Sequence, residues 1–184
     1  SAASVTGTGA STLTGTGGGQ GTGGSNYGIY LYNGSSVANT GSGTVTLNAI
    51  GGTGSTGSNY GFVTSSGTNT VGGASATGDL ILKTNSLSLA ANTSLQTTGS
   101  GSISILPYTS GTSVTVGGSA ADTTSYLNLT NTVLGYLNWG STGTLNIGST
   151  DGTVANATAG TMTINTTMAA SKKTSYATAS SYDI

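Results

Sequence analysis

The chain contains no cysteine, histidine, glutamate or arginine, and only one proline, one tryptophan and one phenylalanine in 184 residues. Without cysteine there can be no disulfide framework and no thiolate chemistry. The usual general acids, bases and zinc ligands are reduced to four aspartates: Asp79, Asp122, Asp151 and Asp183. Three lysines (Lys83, Lys172 and Lys173) are all the positive charge available. So weak a basic balance argues against nucleic acid, which is bound by neutralising phosphates, and against anionic membrane surfaces. No apolar run reaches the length of about 20 residues that a membrane span needs, so no membrane span is expected.

What remains is uncharged and polar. Charged residues make up 4% of the chain, hydrophobic ones 34%, and the net charge is −1 with slightly positive mean hydropathy. Disordered chains are poor in apolar residues but usually rich in net charge. This chain is rich in neither, and Ser, Thr, Asn and Gly must keep it in solution. With 33 glycines and a Thr-rich background, helix propensity is low, and no apolar stripe at helical spacing is sustained.

The strand signal recurs instead. Apolar-x-apolar dyads, whose period of two puts both side chains on one face, occur at Ile29/Leu31, Val45/Leu47, Leu80/Leu82, Leu87/Leu89, Ile103/Ile105, Val114/Val116, Leu127/Leu129, Leu145/Ile147 and Met162/Ile164. Between them lie Gly, Ser, Thr and Asn, the residues of turns and left-handed corners. One phrase repeats: Ser25-Asn26-Tyr27-Gly28 returns as Ser58-Asn59-Tyr60-Gly61, and Tyr27 and Tyr60 are 33 positions apart. A dyad cannot bury enough by itself, but stacked on the coils above and below it lines a continuous core. These observations predict an all-β fold, a β-solenoid of about 20 residues per coil, with roughly nine coils over some 40 Å. A Gly-rich repeated part at residues 1–78 precedes a better-packed part of the same solenoid at 79–167. Residues 168–184, where the dyads stop, read as a tail, a linker or a strand that pairs elsewhere. Because repeats run from the first residues without an obvious cap, the chain is expected to be a segment of a longer protein.

The phrases SNYGIYLYNGSSVANTGSGTVTL, GDLILKTNSLSLAANTSLQTTGSGSISILPYTSGTSVTVGG, LGYLNWGSTGTLNIGS and GTMTINT resemble the repeat region of filamentous-haemagglutinin-type exoproteins, the large adhesins of bacterial two-partner secretion. The resemblance spans most of residues 7–167. It implies a right-handed parallel β-helix, serving as a shaft at the bacterial cell surface. The Asn-Pro-Asn signature of that family's secretion domain has no counterpart, since the single proline is Pro107.

Several features invite more specific readings. The Gly17–Gly24 run lacks the Lys and Ser/Thr of a phosphate loop and reads as a corner. It also lacks the aspartates of a calcium-binding repeat, and Asp151 reads as a turn residue, so neither cofactor nor metal is expected. Thr pairs such as Thr14/Thr16 and Thr44/Thr46 are too irregular for the ordered ranks of an ice-binding face. Sequons at Asn33, Asn92, Asn128, Asn156 and Asn165 offer glycosylation sites in a secreted chain. Tyr27 and Tyr60 should stack in equivalent places, whereas Tyr30 and Tyr32, alternating with Ile29 and Leu31, should point outward. They are candidates either for binding a glycan or surface receptor or for packing on neighbouring coils. Trp139 reads as core or end cap. The expected function is therefore a non-enzymatic structural or adhesive segment of a secreted bacterial surface protein. The alternative is a filament subunit that self-associates end to end or laterally, joined by strand addition.

Overall fold

The computed structural model describes residues 2–19, 22–55, 57–119, 123–148, 162–165 and 173–176, the last two stretches by their backbone alone. Its strands come in threes. β1 (Ser4–Gly7), β2 (Ser11–Thr16) and β3 (Ile29–Tyr32) are followed by β4 (Ser36–Asn39), β5 (Val45–Ile50) and β6 (Phe62–Ser65), and then by β7 (Asn69–Gly72), β8 (Leu80–Thr84) and β9 (Leu87–Ser88). The pattern loosens over β10 (Thr93–Gln96), β11 (Ile103–Leu106), β12 (Val114–Gly117) and β13 (Leu127–Leu129). The one-turn helix α1 (Asn131–Gly135), β14 (Leu137–Asn138), β15 (Thr144–Ile147), β16 (Met162–Asn165) and β17 (Lys173–Tyr176) complete the described elements.

Every pairing among the described strands is parallel. A first sheet runs β1-β4-β7-β10-β14, a second β2-β5-β8-β11-β15-β17, and a third β3-β6-β9, so the chain visits the three in cyclic order. A fourth sheet, β13-β12-β16, holds three of the later strands. The fold is thus all-β with parallel sheets, in agreement with the sequence. The one short helix among the described residues is consistent with the low helix propensity. It forms where Thr130 caps it, its Oγ1 accepting from the Val133 N–H at 3.2 Å.

The spacing of the rungs departs from the expected 20 or so residues. Along the second sheet, register partners are 34 residues apart (Ser11 to Val45), then 35 (Val45 to Leu80), 23 (Leu80 to Ile103), 42 (Ile103 to Leu145) and 29 (Leu145 to Thr174). Dyad spacing undercounts the circuit because consecutive dyads fall on different sheets, as Leu80/Leu82 in β8 and Leu87/Leu89 at β9 do, and other strands carry no dyad at all. In β4, β7 and β10 one apolar residue (Val37, Val71 or Leu95) faces inward and a polar residue takes the other inward place. The repeat of 33 positions is the better guide, since it equals the third-sheet offset from Ile29 to Phe62. Six strands in the second sheet are five spacings of about 4.8 Å, or about 24 Å, rather than some 40 Å.

Where side chains are described the dyads point inward, with Leu89 only partly buried. Leu47, Leu82, Ile105 and Ile147 form one column, in register from coil to coil and all but inaccessible to solvent, and Val45, Leu80, Ile103 and Leu145 form a second beside it. Fully burying one such side chain contributes about 1.5–3 kcal/mol, and each coil supplies several. The outer row is less regular than alternation implies. Ser104, between Ile103 and Ile105, is only 3% exposed, and its Oγ accepts from Asn146 Nδ2 at 3.2 Å. No seam falls near residue 78: Val45 donates to the Asp79 carbonyl and β5 pairs with β8, so residues on both sides belong to one stack. The tail expected at 168–184 includes β17, which pairs with β15; its other residues, like Asp151 and Asn156, lie outside the described ones.

Candidate functional site

The alternation Ile-Tyr-Leu-Tyr in β3 fixes the most distinctive surface of the chain. Ile29 and Leu31 turn into the core, and Tyr30 and Tyr32 stand outward with about half their surface exposed. Tyr27, half-buried just before the strand, folds back so that its ring centroid lies 5.3 Å from that of Tyr30 at an interplanar angle of 53°. Tyr30 lies 5.8 Å from Tyr32 at 41°. These are tilted contacts of the kind aromatic quadrupoles favour. Together the three rings make a ledge on the outside of the third sheet.

The ledge rests on the repeated phrase. Asn59 Oδ1 accepts from the backbone N–H of Asn26 at 3.2 Å and from its Nδ2 at 3.1 Å. Asn59 Nδ2 in turn donates to the Gly54 carbonyl at 2.7 Å. The Gly28 N–H donates to the Tyr60 carbonyl at 3.2 Å, which carries the same register into β3. Tyr27 and Tyr60 thus belong to adjacent coils. Across the repeat the side-chain bonds run from Asn26 to Asn59, and the Tyr27 ring also leans along its own strand toward Tyr30.

Electrostatically the ledge is bare. The first charged residue in the chain is Asp79, so residues 1–78 carry no ionised side chain. An anionic or cationic ligand would find no counter-charge on these coils. A neutral, polyhydroxylated one would meet aromatic faces rimmed by amides and hydroxyls.

Other candidates resolve differently. Asn33 and Asn92 are exposed, each at a corner with positive φ (57° and 67°), and remain accessible for glycosylation. Asn128 is 1% exposed, which corrects the expectation at that sequon: an enclosed amide leaves a glycan no way out of the fold. Asn165 lies in β16 opposite Gly117. Trp139 is 7% exposed and joins the apolar cluster, so it is core. Outward along the second sheet Thr12 is followed by Thr46, then Ile81 and Ser104, so the threonine rank ends after two coils.

A cleft of about 280 Å³ opens beside the Gly51–Gly54 corner. Its amides are already engaged, Asn59 as described and Asn85 through Oδ1, which accepts from the Thr109 N–H at 2.8 Å and the Thr112 hydroxyl at 3.2 Å. Among the described residues no group of three or more His, Cys, Asp or Glu side chains could hold a metal ion, and no helix is long and apolar enough to cross a membrane. The dyad pattern missed Val5 and Leu13, which are exposed large apolar residues on β1 and β2. Each stands alone among Ser, Thr and Gly, and the only sequence sign was that isolation. Comparison with family models, curated proteins and solved structures gives no match.

Proposed function

We propose that this chain is a right-handed parallel β-helix serving as a structural and adhesive segment of a secreted bacterial cell-surface protein, in the manner of filamentous-haemagglutinin-type exoproteins. The observation that carries the reading is the column Leu47–Leu82–Ile105–Ile147, unbroken through four coils of parallel pairing. A column with a continuous backbone ladder on each side resists bending, because every coil is held by the ones above and below it. The right hand follows from the strong preference of parallel crossovers. Function on this reading comes from what the shaft displays: a neutral hydroxyl and amide surface and, on its third sheet, the Tyr27–Tyr30–Tyr32 ledge. Stacking of flat apolar sugar faces on the tyrosine rings, with Asn and Ser supplying hydrogen bonds, gives weak single contacts that many copies strengthen by avidity.

The test is attachment. Beads coated with the chain should bind a panel of immobilised neutral glycans, and Tyr30→Ala with Tyr32→Ala should lower the bound fraction at least tenfold while the circular dichroism spectrum stays unchanged. Coated beads that bind no glycan surface, or a double variant that binds as well as its parent, would overturn the adhesive reading.

A further inference from the structure

The chain offers an oxidant few targets, and they are not spread evenly. Cysteine, the usual first target, is absent. The methionines are Met162 and Met168, and methionine sulfur reacts by taking up an oxygen atom to give the sulfoxide. One-electron oxidation therefore falls to tryptophan and tyrosine. The single tryptophan, Trp139, is enclosed in the apolar cluster. Tyr32 (50%) and Tyr30 (46%) are the most exposed of the described tyrosines, ahead of Tyr108 (38%). Tyr30 also touches two other rings, Tyr27 at 5.3 Å and Tyr32 at 5.8 Å between centroids. Tyr108, Tyr126 and Tyr136 have no ring partner among the described residues. The three ledge rings stand on the outward face of the third sheet rather than along its edge. Their spacing is set by the alternation within β3 and by the Asn26–Asn59 bonds before it, whatever coil lies above.

We propose that the ledge is a site of oxidative tyrosine coupling, with Tyr30 the ring common to its products. The co-reactant is a peroxide, activated by a one-electron catalyst of the peroxidase class. Tyr30 and one neighbour each give up an electron and the phenolic proton, and one peroxide is reduced to two waters. The two phenoxyl radicals join through the ring carbons beside their oxygens. The hydrogen on each of those carbons then moves to its oxygen, which restores two phenols in one biaryl side chain. Because the second ring is already held in contact, the joining step is intramolecular, and its effective concentration far exceeds that of a tyrosine on another chain. A radical on Tyr108 has no such neighbour. A bond from Tyr30 to Tyr27 ties the Gly-rich corner to β3, and one to Tyr32 braces the strand along its outer face. The proposal needs only the ring geometry and stands apart from the adhesive reading.

The test treats the full 184-residue chain, kept dilute, with hydrogen peroxide and a peroxidase, and isolates the monomer by gel filtration. The monomer should show dityrosine fluorescence. After digestion, the peptide carrying residues 26–33 should weigh two hydrogen atoms less than its untreated counterpart. Tyr30→Phe should lower the dityrosine yield of the monomer by about tenfold or more, with an unchanged circular dichroism spectrum, because it leaves a non-coupling ring between Tyr27 and Tyr32. Tyr108→Phe should leave the yield as it is. A monomer without dityrosine would overturn the proposal, as would coupling found only between chains, a link mapped to other tyrosines, or a Tyr30→Phe variant that couples as well as its parent. If Tyr30→Phe fails to fold, the mapped position of the link in the parent chain decides.

Discussion

Asn26 sits one coil from Asn59 in the stack, and the single oxygen Asn59 Oδ1 receives both the backbone N–H and the side-chain Nδ2 of Asn26. Two identical residues, 33 positions apart in the chain, therefore lock the register of two long Gly-rich corners whose glycines cannot. The same logic recurs inside the stack, where Asn69 is fully buried at the foot of β7. Its Oδ1 accepts from the Ser35 N–H at 3.1 Å, and its Nδ2 donates to the Ser66 carbonyl at 2.8 Å. Asparagine serves at these corners because one side chain supplies both an acceptor and a donor to backbone groups that no strand can reach.

Replacing Asn59 by alanine should lower stability by about 1–2 kcal/mol, because the Asn26 amide and the Gly54 carbonyl lose their partner in a part-buried corner. Chemical denaturation of the variant checks this; an unchanged midpoint would show that water replaces the ladder at no cost.

Asn69→Ala should cost more, about 2–4 kcal/mol, since it strands a buried N–H and a carbonyl at once and leaves a small void. The expected order, Asn69→Ala below Asn59→Ala, would be read from their melting temperatures in one buffer.

Along the core column the cost should depend on position in the stack. Leu82→Ala, fully buried between coils, should lose about 2–5 kcal/mol, while Leu13→Ala, at an exposed position on β2, should lose under about 1 kcal/mol. Equal losses in urea unfolding would mean that Leu13 is as well covered as Leu82.

Ser66 and Gly67 both have positive φ (52° and 62°), as do Asn33 and Gly34 one coil earlier (57° and 80°), the pattern of a type I′ turn. Ser66→Asn should be neutral or slightly stabilising, whereas Ser66→Val should cost about 1–2 kcal/mol because a β-branched residue resists the left-handed region. Thermal unfolding of the pair tests the sign of both effects.

A methyl at Gly51 would stand on the Asn59 carbonyl oxygen, while one at Gly19 meets nothing within 4 Å. Gly51→Ala should therefore perturb the corner and lower the melting temperature by several degrees, and Gly19→Ala should leave it unchanged. Differential scanning calorimetry of the two variants distinguishes a geometric glycine from a permissive one.

Much of the interior was legible in the sequence. Apart from Leu89, the dyads from Ile29/Leu31 to Leu145/Ile147 face inward because a strand's period of two leaves no other way to bury both residues. The outward placing of Tyr30 and Tyr32 followed from the same alternation. Strands such as β1, β4 and β7 were not legible, because Ser-Val-Thr-Gly or Asn-Thr-Val-Gly has too little apolar content to stand out from the Gly- and Thr-rich background. Such segments are strands because a neighbouring coil offers them a ladder. Nor did the sequon at Asn128 disclose its burial between Leu127 and Leu129, since an asparagine in a dyad reads as outward unless something covers that side.

By itself, then, the sequence determined the class of the fold and the facing of its apolar residues, because both depend on local alternation, and the 33-residue repeat carried the register of the third sheet. Only the tertiary structure decided the lengths of the other circuits, the asparagine bonds that hold the corners, and the gathering of three tyrosines into a ledge. All of these depend on which distant strand lies alongside, and in parallel pairing that partner is a whole circuit away, set by corners whose length the chain is free to vary.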